Sequence, residues 1–257
     1  MLKLDNICQT FNKNTINEKV LFENFNFSVK KDEFVSVVGS NGSGKTTLLN
    51  IISGNLMPDE GKIIIGGNDV TKLKNYKRAK RIARVFQDPS LGTCPSMTIF
   101  ENMSIADNKL KPYNLTGGLN HKRKDFYRSQ LELLGLGLED RLNTKAQTLS
   151  GGQRQALALI MATMVKPDIL LLDEHTAALD PKSSEIVMNL TEKVIEEKKI
   201  TTLMVTHNLR YAIDYSTRCI MMHEGKIHLD VSGDEKKKHT ISDLLKVFNE
   251  ISIECGN

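Results

Sequence analysis

Gly39-Ser40-Asn41-Gly42-Ser43-Gly44-Lys45-Thr46-Thr47 is the stretch on which the fold turns. Its first eight residues match the spacing G-x-x-x-x-G-K-[ST] of a phosphate-binding loop. Before it, Phe34 to Val38 is a mostly apolar run, as expected of a strand covered on both faces. After it, Thr46 to Ser53 carries Leu48, Leu49, Ile51 and Ile52 at helical spacing. Strand, glycine-rich turn and helix together let backbone N–H groups wrap a phosphate, with the positive end of the helix behind them. The spacing assigns Lys45 to the β and γ phosphates of a nucleotide and the Thr46 hydroxyl to Mg²⁺.

Moving outward, Ile169-Leu-Leu-Leu172-Asp173-Glu174 is an apolar strand ending in two carboxylates. Such a strand can deliver Asp173 to the sheet edge beside the loop, as a ligand of Mg²⁺ or of its water shell. Glu174 then stands where it can polarise a water. Further strands are expected around Leu2–Ile7, at Phe25–Val29, Lys62–Ile65, Ile82–Phe86 and Thr201–Val205, and at Cys219–Met222 and Lys226–Leu229 about a turn at Glu224-Gly225. Between Pro89 and Val165 the strand signal fades, and Tyr127–Leu134 and Gln153–Val165 read as helices, with 115–119 a loop. Asp180-Pro181 opens a helix with Ile186, Val187, Leu190, Val194 and Ile195 on one face, and Leu209–Asp214 begins another. Ile241–Glu250 reads as an amphipathic helical tail. Alternating strands and helices on both sides of a helical insert imply an α/β fold with a largely parallel sheet.

Composition excludes other classes. With 257 residues, 40% apolar and 26% charged, the chain is neither disordered nor fibrous. The longest apolar runs, Ile169–Leu172 and Ile63–Ile65, fall far short of the roughly 20 residues of a membrane span. Asp5, Asn6 and Gln9 break any secretory signal, so a cytoplasmic place is expected. Cys8, Cys94, Cys219 and Cys255 are scattered, with no CxxC pair, and read as reduced structural thiols. The basic clusters at 121–124 and 236–239 read as solvated faces within a net charge of only +4, and no recognition motif suggests nucleic acid.

Leu149-Ser150-Gly151-Gly152-Gln153, followed by Arg154-Gln155 and a helix, resembles the signature of ABC ATPases. Ser150 can cap that helix, and the two glycines leave backbone N–H groups open to an anion. Other elements match the family in order. Phe11 stands where an aromatic stacks on adenine, although a core phenylalanine would look the same. Gln87, after Val85-Phe86, is similar to the glutamine that contacts Mg²⁺ and water. Ala178-Leu179-Asp180 resembles the loop that meets the partner subunit, with Asp180 also suited to capping the helix at Pro181. His207, after Val205-Thr206, is similar to the histidine that senses the γ-phosphate. One departure is His175, where most of the family has proline. The words Asp173-Glu-His-Thr-Ala-Ala-Leu-Asp180 and Met221-Met-His-Glu-Gly225 resemble ATPase subunits of a bacterial importer group associated with aromatic amino-acid uptake.

The resemblance implies a P-loop NTPase core with a mainly parallel sheet, an N-terminal antiparallel β subdomain and a helical lobe. It implies one domain over 2–249: a core lobe of 1–88 plus 166–230, a helical lobe of 89–165 and a tail at 240–250. It implies ATP and Mg²⁺ as cofactors, held by Phe11, the loop 39–47, Gln87 and Asp173, with Ser150, Gly151, Gly152, Gln153 and Asp180 acting on ATP bound to a second copy. Lys45, Gln87, Glu174 and His207 are the implied catalytic set. The implied partners are a second copy, separate transmembrane permease subunits and, indirectly, an extracytoplasmic solute-binding protein, which together put the chain at the cytoplasmic face of the cell membrane. Two alternatives are a soluble ABC ATPase acting on ribosomes or nucleic acid, and an unrelated phosphate-loop kinase. The first lacks the tandem second domain or long coiled coil it would need; the second has no use for the signature.

Overall fold

The computed structural model describes residues 1–111, 117–238, 243 and 246. In chain order the strands are β1 (Leu2–Phe11), β2 (Lys19–Val29), β3 (Phe34–Gly39), β4 (Glu60–Ile65), β5 (Asn68–Asp69), β6 (Ile82–Val85), β7 (Ile169–Asp173), β8 (Thr201–Val205), β9 (Arg218–His223) and β10 (Lys226–Ser232). The α-helices are α1 (Lys45–Ser53), α2 (Asn75–Arg78), α3 (Ile99–Asp107), α4 (Lys124–Glu132), α5 (Gly151–Met164), α6 (Pro181–Lys198), α7 (Leu209–Asp214) and α8 (Gly233–Lys238).

The strands form two sheets. One is antiparallel, ordered β2-β1-β4-β5; the other is ordered β10-β9-β3-β8-β7-β6. In the larger sheet β9, β3, β8, β7 and β6 are parallel, and β10 returns antiparallel along β9. The mainly parallel core sheet and the N-terminal antiparallel sheet expected from the sequence are both present. β3, β7 and β8 are buried along almost their whole length because helices and the second sheet cover them, which is why they read as unbroken apolar runs. Parallel pairing aligns their C-terminal ends, so Gly39, Asp173 and Val205 reach one edge of the sheet. That edge is where α/β sheets of this kind bind ligands.

The sequence pattern predicts short strands in the first 35 residues. The structure instead has strands of 10 and 11 residues. Their pairing shifts register between Leu4 and Ile7 and again between Ile7 and Gln9, and Asn6 and Asn24 adopt φ of 50°. The ladder continues through these bulges while the in–out alternation slips, so the period-2 signal is lost where the strand is not.

Between 89 and 165 the described elements are α3, α4, α5 and short 3₁₀ turns. The α3 helix, unmarked in the sequence reading, begins at a Thr98–Glu101 capping box. The α5 helix starts at Gly151 rather than Gln153 because Ser150 caps it. On α6, Ile186 lies outside the buried face (39% exposed), and burial centres on Val187, Leu190, Thr191, Val194 and Ile195. Among the described residues three apolar clusters result: one joins α3–α6 to one face of the large sheet, another fills the space between the two sheets, and a smaller third gathers Val38, Ala212, Cys219, Met221 and Val231.

Arg78 is a buried arginine that makes no salt bridge among the described residues. Its guanidinium donates to the carbonyls of Ile51 (2.6 Å) and Ile52 (3.1 Å) at the end of α1, and to those of Thr71 and Leu73. It thereby satisfies carbonyls that a helix end leaves open. The expected tail helix Ile241–Glu250, with Leu244, Leu245, Val247 and Phe248, and Cys255 lie outside the described residues. Cys8, Cys94 and Cys219 are free thiols. Among the described residues no helix is long and apolar enough to cross a membrane.

Candidate active site

Residues 39–47 form the turn from β3 into α1. Gly39 has φ 153° and a Cβ there would sit 2.1 Å from the Met222 carbonyl oxygen, while Gly44, at φ 103°, caps α1, and a Cβ there would lie 3.0 Å from the Phe22 ring. Both positions require glycine by conformation and by space. Lys45 is buried at 5% exposure, and its Nζ donates to the carbonyls of Gly39 and Ser40 at 2.9 Å each. Burial pushes its pKa down, and the nearby charge of Glu174 opposes that shift, which puts Lys45 and Glu174 in one electrostatic neighbourhood. Ser43 Oγ is buried with no hydrogen-bond partner among the described residues, an unused hydroxyl inside the loop. Asn41, Gly42 and Thr46 are exposed and Thr47 is half-buried.

β7 delivers Asp173 and Glu174. Glu174 has φ 48°, an uncommon conformation for a side chain of this size, held in part by its N–H donating to the Val205 carbonyl at 3.0 Å. From the end of β8, His207 Nε2 lies 2.7 Å from Glu174 Oε1. A carboxylate can only accept, so the imidazole proton sits on Nε2. Gln87, exposed beyond β6, shares a cavity of about 560 Å³ with Asp173, Arg84 and Asn50. Thus the sheet edge gathers Lys45, Gln87, Asp173, Glu174 and His207 from four strand ends.

The remaining candidates lie elsewhere. Ser150 and Gln153 form a reciprocal capping box at 3.2 Å in each direction. A Cβ at Gly151 would meet Leu179 at 3.1 Å and one at Gly152 would meet Ser183 at 3.2 Å, so the signature packs on the loop and first turn of α6. Asp180 Oδ1 accepts the Ser183 N–H at 3.0 Å, and hydrogen bonding from the Ser183 side chain together with that N–H holds its carboxyl below the usual range. Among the described residues the signature makes no hydrogen bond to the phosphate loop. Phe11 ends β1 opposite Lys19, half-buried against the core between the sheets.

Sequence reasoning missed several supporting groups. Arg84 Nη2 donates to Asp173 Oδ2 at 2.5 Å and Nη1 to Asn50 Oδ1 at 2.8 Å. A charged residue inside the apolar word Ile82-Ala-Arg-Val-Phe86 was the available signal. Gln155, fully buried on α5, donates to the Phe86 carbonyl at 2.9 Å, tying the signature helix to the residue before Gln87. His223 Nδ1 meets Ser40 Oγ at 3.1 Å and steadies the loop from β9.

Thr46, Gln87 and Asp173 offer two neutral oxygens and one carboxylate. Among the described residues no cluster of three or more His, Cys, Asp or Glu could hold a metal unaided. A sparse oxygen set of this kind fits Mg²⁺, which keeps waters and takes phosphate oxygens rather than a full protein cage.

Residues 22–177 match the family described as ABC transporter. The chain belongs to the ABC transporter family. A tyrosine transport ATP-binding protein of Clostridioides difficile (strain R20291) is 50% identical over 248 residues, covering 96% of this chain and 98% of its own. A dimeric ATP-binding cassette solved in a post-hydrolysis state with ADP and Pi is similar at 32% identity and TM-score 0.75, covering 90% of this chain and 98% of its own. The ADP conformation of an ATP-binding cassette of an ABC transporter is similar at 28% identity and TM-score 0.80, covering 100% and 99%. This ABC protein is accordingly an ATP-binding, ATP-hydrolysing subunit of a transporter.

Proposed function

We propose that this ABC ATPase powers import of an aromatic amino acid of the tyrosine class. It would work at the cytoplasmic face of the cell membrane, beneath permease subunits on separate chains, with an extracytoplasmic solute-binding protein presenting the substrate. The 50% identity to a tyrosine transport ATP-binding protein over nearly the whole of both chains supports the substrate class. The organisation we infer is one two-lobed domain over 2–249, with 89–165 as the lobe that rocks against the core.

The observation that carries the hydrolytic reading is the 2.7 Å contact between His207 Nε2 and Glu174 Oε1. Glu174 polarises the attacking water and accepts its proton, while His207 fixes the carboxylate and faces the γ-phosphate. Lys45 exchanges its two backbone carbonyls for β and γ phosphate oxygens, the Ser43 hydroxyl turns to the same anion, and Phe11 stacks on the adenine. Thr46, Gln87 and Asp173 would hold Mg²⁺, whose charge offsets that of the phosphates. Ser150, Gly151, Gly152 and Gln153, which make no hydrogen bond to this chain's own phosphate loop among the described residues, serve the ATP of a second copy, with Asp180 at the seam. ATP then joins two copies, and hydrolysis releases them.

Glu174→Gln tests this. Loss of a general base lowers the rate by roughly 10²–10⁴-fold, so the variant is expected to bind ATP, hydrolyse it at least about 100-fold more slowly and elute as a dimer with ATP on size-exclusion chromatography. Turnover at the wild-type rate would remove Glu174 as the base. Uptake of labelled tyrosine by cells lacking this chain tests the solute: undiminished uptake overturns the tyrosine assignment.

A further inference from the structure

Arg84 is a charged side chain with an unusual amount of structure around it. It sits on β6, only 11% of its side chain exposed, between the helix that follows the phosphate loop and the strand that carries Asp173. One guanidinium nitrogen donates to Asp173 Oδ2 at 2.5 Å, a second donates to Asn50 Oδ1 on α1 at 2.8 Å, and the guanidinium carbon lies 4.9 Å from the centre of the Phe86 ring. Its Nε is buried with no hydrogen-bond partner among the described residues. Three neighbours thus fix the group in place, and a guanidinium keeps its charge throughout the working pH range.

The consequence falls on Asp173. One of its two carboxylate oxygens is engaged by Arg84, while Oδ1 carries no bond from the arginine and is the freer oxygen for a cation shell. The same contact sets a permanent positive charge beside the only carboxylate among Thr46, Gln87 and Asp173. Like charges this close, in a half-buried site, oppose one another more strongly than in water. Without a nucleotide the cation would meet a carboxylate already neutralised by an arginine. With ATP bound, the phosphate oxygens add the negative charge that makes the site favourable.

From this, and resting on the reading of Asp173 as a Mg²⁺ ligand, we infer that Arg84 is a positioning residue that orients Asp173 and makes divalent-cation binding conditional on bound nucleotide. It acts through Asp173 and Asn50 and touches neither ATP nor water in the reaction. An ion pair with a purely structural role predicts no change in cation affinity once folding is preserved.

The test compares full-length wild type with Arg84→Gln, Arg84→Met and Arg84→Lys. Mn²⁺ serves as the probe, with binding followed by electron paramagnetic resonance, first without nucleotide and then with a non-hydrolysable ATP analogue. Removing the charge in Arg84→Gln is expected to tighten Mn²⁺ binding at least threefold in the nucleotide-free protein, with a smaller gain when the analogue is present. Arg84→Lys, which keeps the charge, stays within twofold of wild type. Arg84→Met, whose stem keeps the packing on Phe86, is the second charge-free variant should the glutamine variant fail to fold. Mn²⁺ affinity in the charge-free variants equal to or weaker than wild type overturns the inference. The metal dependence of wild-type ATP hydrolysis is measured alongside: if hydrolysis needs no divalent ion, the Mg²⁺ reading itself has failed, whereas a metal-dependent wild type with an unmoved Arg84→Gln removes the role of Arg84 alone.

Discussion

Lowering the pH from 7 to 5 should destabilise this protein through one side chain, His175. It follows Glu174 and is 1% exposed, with its Nε2 3.1 Å from Thr191 Oγ1. The Thr191 hydroxyl already donates to the Val187 carbonyl at 2.7 Å, so its oxygen accepts from the imidazole N–H. Burial pushes the His175 pKa from 6.5 down to about 4. The folded protein therefore keeps the ring neutral down to about pH 4, whereas the unfolded chain takes up a proton below about 6.5. Between those values the unfolded state binds more protons, so stability is fully present above pH 6.5 and drains away as the pH falls towards 4. At 1.36 kcal/mol per pH unit the whole gap amounts to roughly 3 kcal/mol, of which roughly 2 kcal/mol is lost by pH 5. That is a sizeable fraction of the 5–15 kcal/mol by which domains are typically stable. Urea denaturation at pH 7, 6 and 5, run on wild type and on His175→Gln, measures it. Glutamine can still reach Thr191 but does not titrate, so carboxylate contributions cancel in the comparison. Wild type is expected to lose about 2 kcal/mol more than the variant between pH 7 and 5. Equal losses in the two proteins would refute the reasoning, because His175 would then be no source of acid sensitivity.

Two other substitutions have definite outcomes. Lys45→Ala removes the buried ammonium that the loop closes upon, and fluorescence titration should show ATP affinity at least about 10-fold weaker, in line with loss of a charge-assisted hydrogen bond; unchanged binding would take Lys45 out of the site. Arg78→Met strips the guanidinium donors from four backbone carbonyls, those of Ile51 and Ile52 at the end of α1 and those of Thr71 and Leu73, and with unsatisfied buried groups costing about 1–3 kcal/mol each, denaturation should show a loss of at least roughly 2 kcal/mol; a loss below about 0.5 kcal/mol would mean that water replaces the guanidinium.

Much of the site was legible because its chemistry is written in contiguous words. The loop 39–47 combines glycines with a lysine and a threonine, and Ile169–Glu174 joins an apolar strand to two acids, so each announces both its backbone and its reactive group. Residues that work by reaching across the fold left fainter marks. Arg84 contacts a residue 89 positions away and Gln155 one 69 positions away, and no local pattern pairs them. Strand length was misjudged where Asn6 and Asn24 turn the backbone to positive φ and shift the alternation.

Sequence by itself determined the class of the protein. Short-range spacing fixes which backbone turns can wrap a phosphate and which apolar runs must be buried as parallel strands, and those rules act over a few residues. Tertiary structure alone decided the neighbourhoods. It brought His207 to 2.7 Å from Glu174, set Arg84 on Asp173, and packed the signature against Leu179 and Ser183. The physical reason is that parallel pairing of β3, β8, β7 and β6 aligns the ends of strands far apart in sequence, and only that alignment makes one site of them.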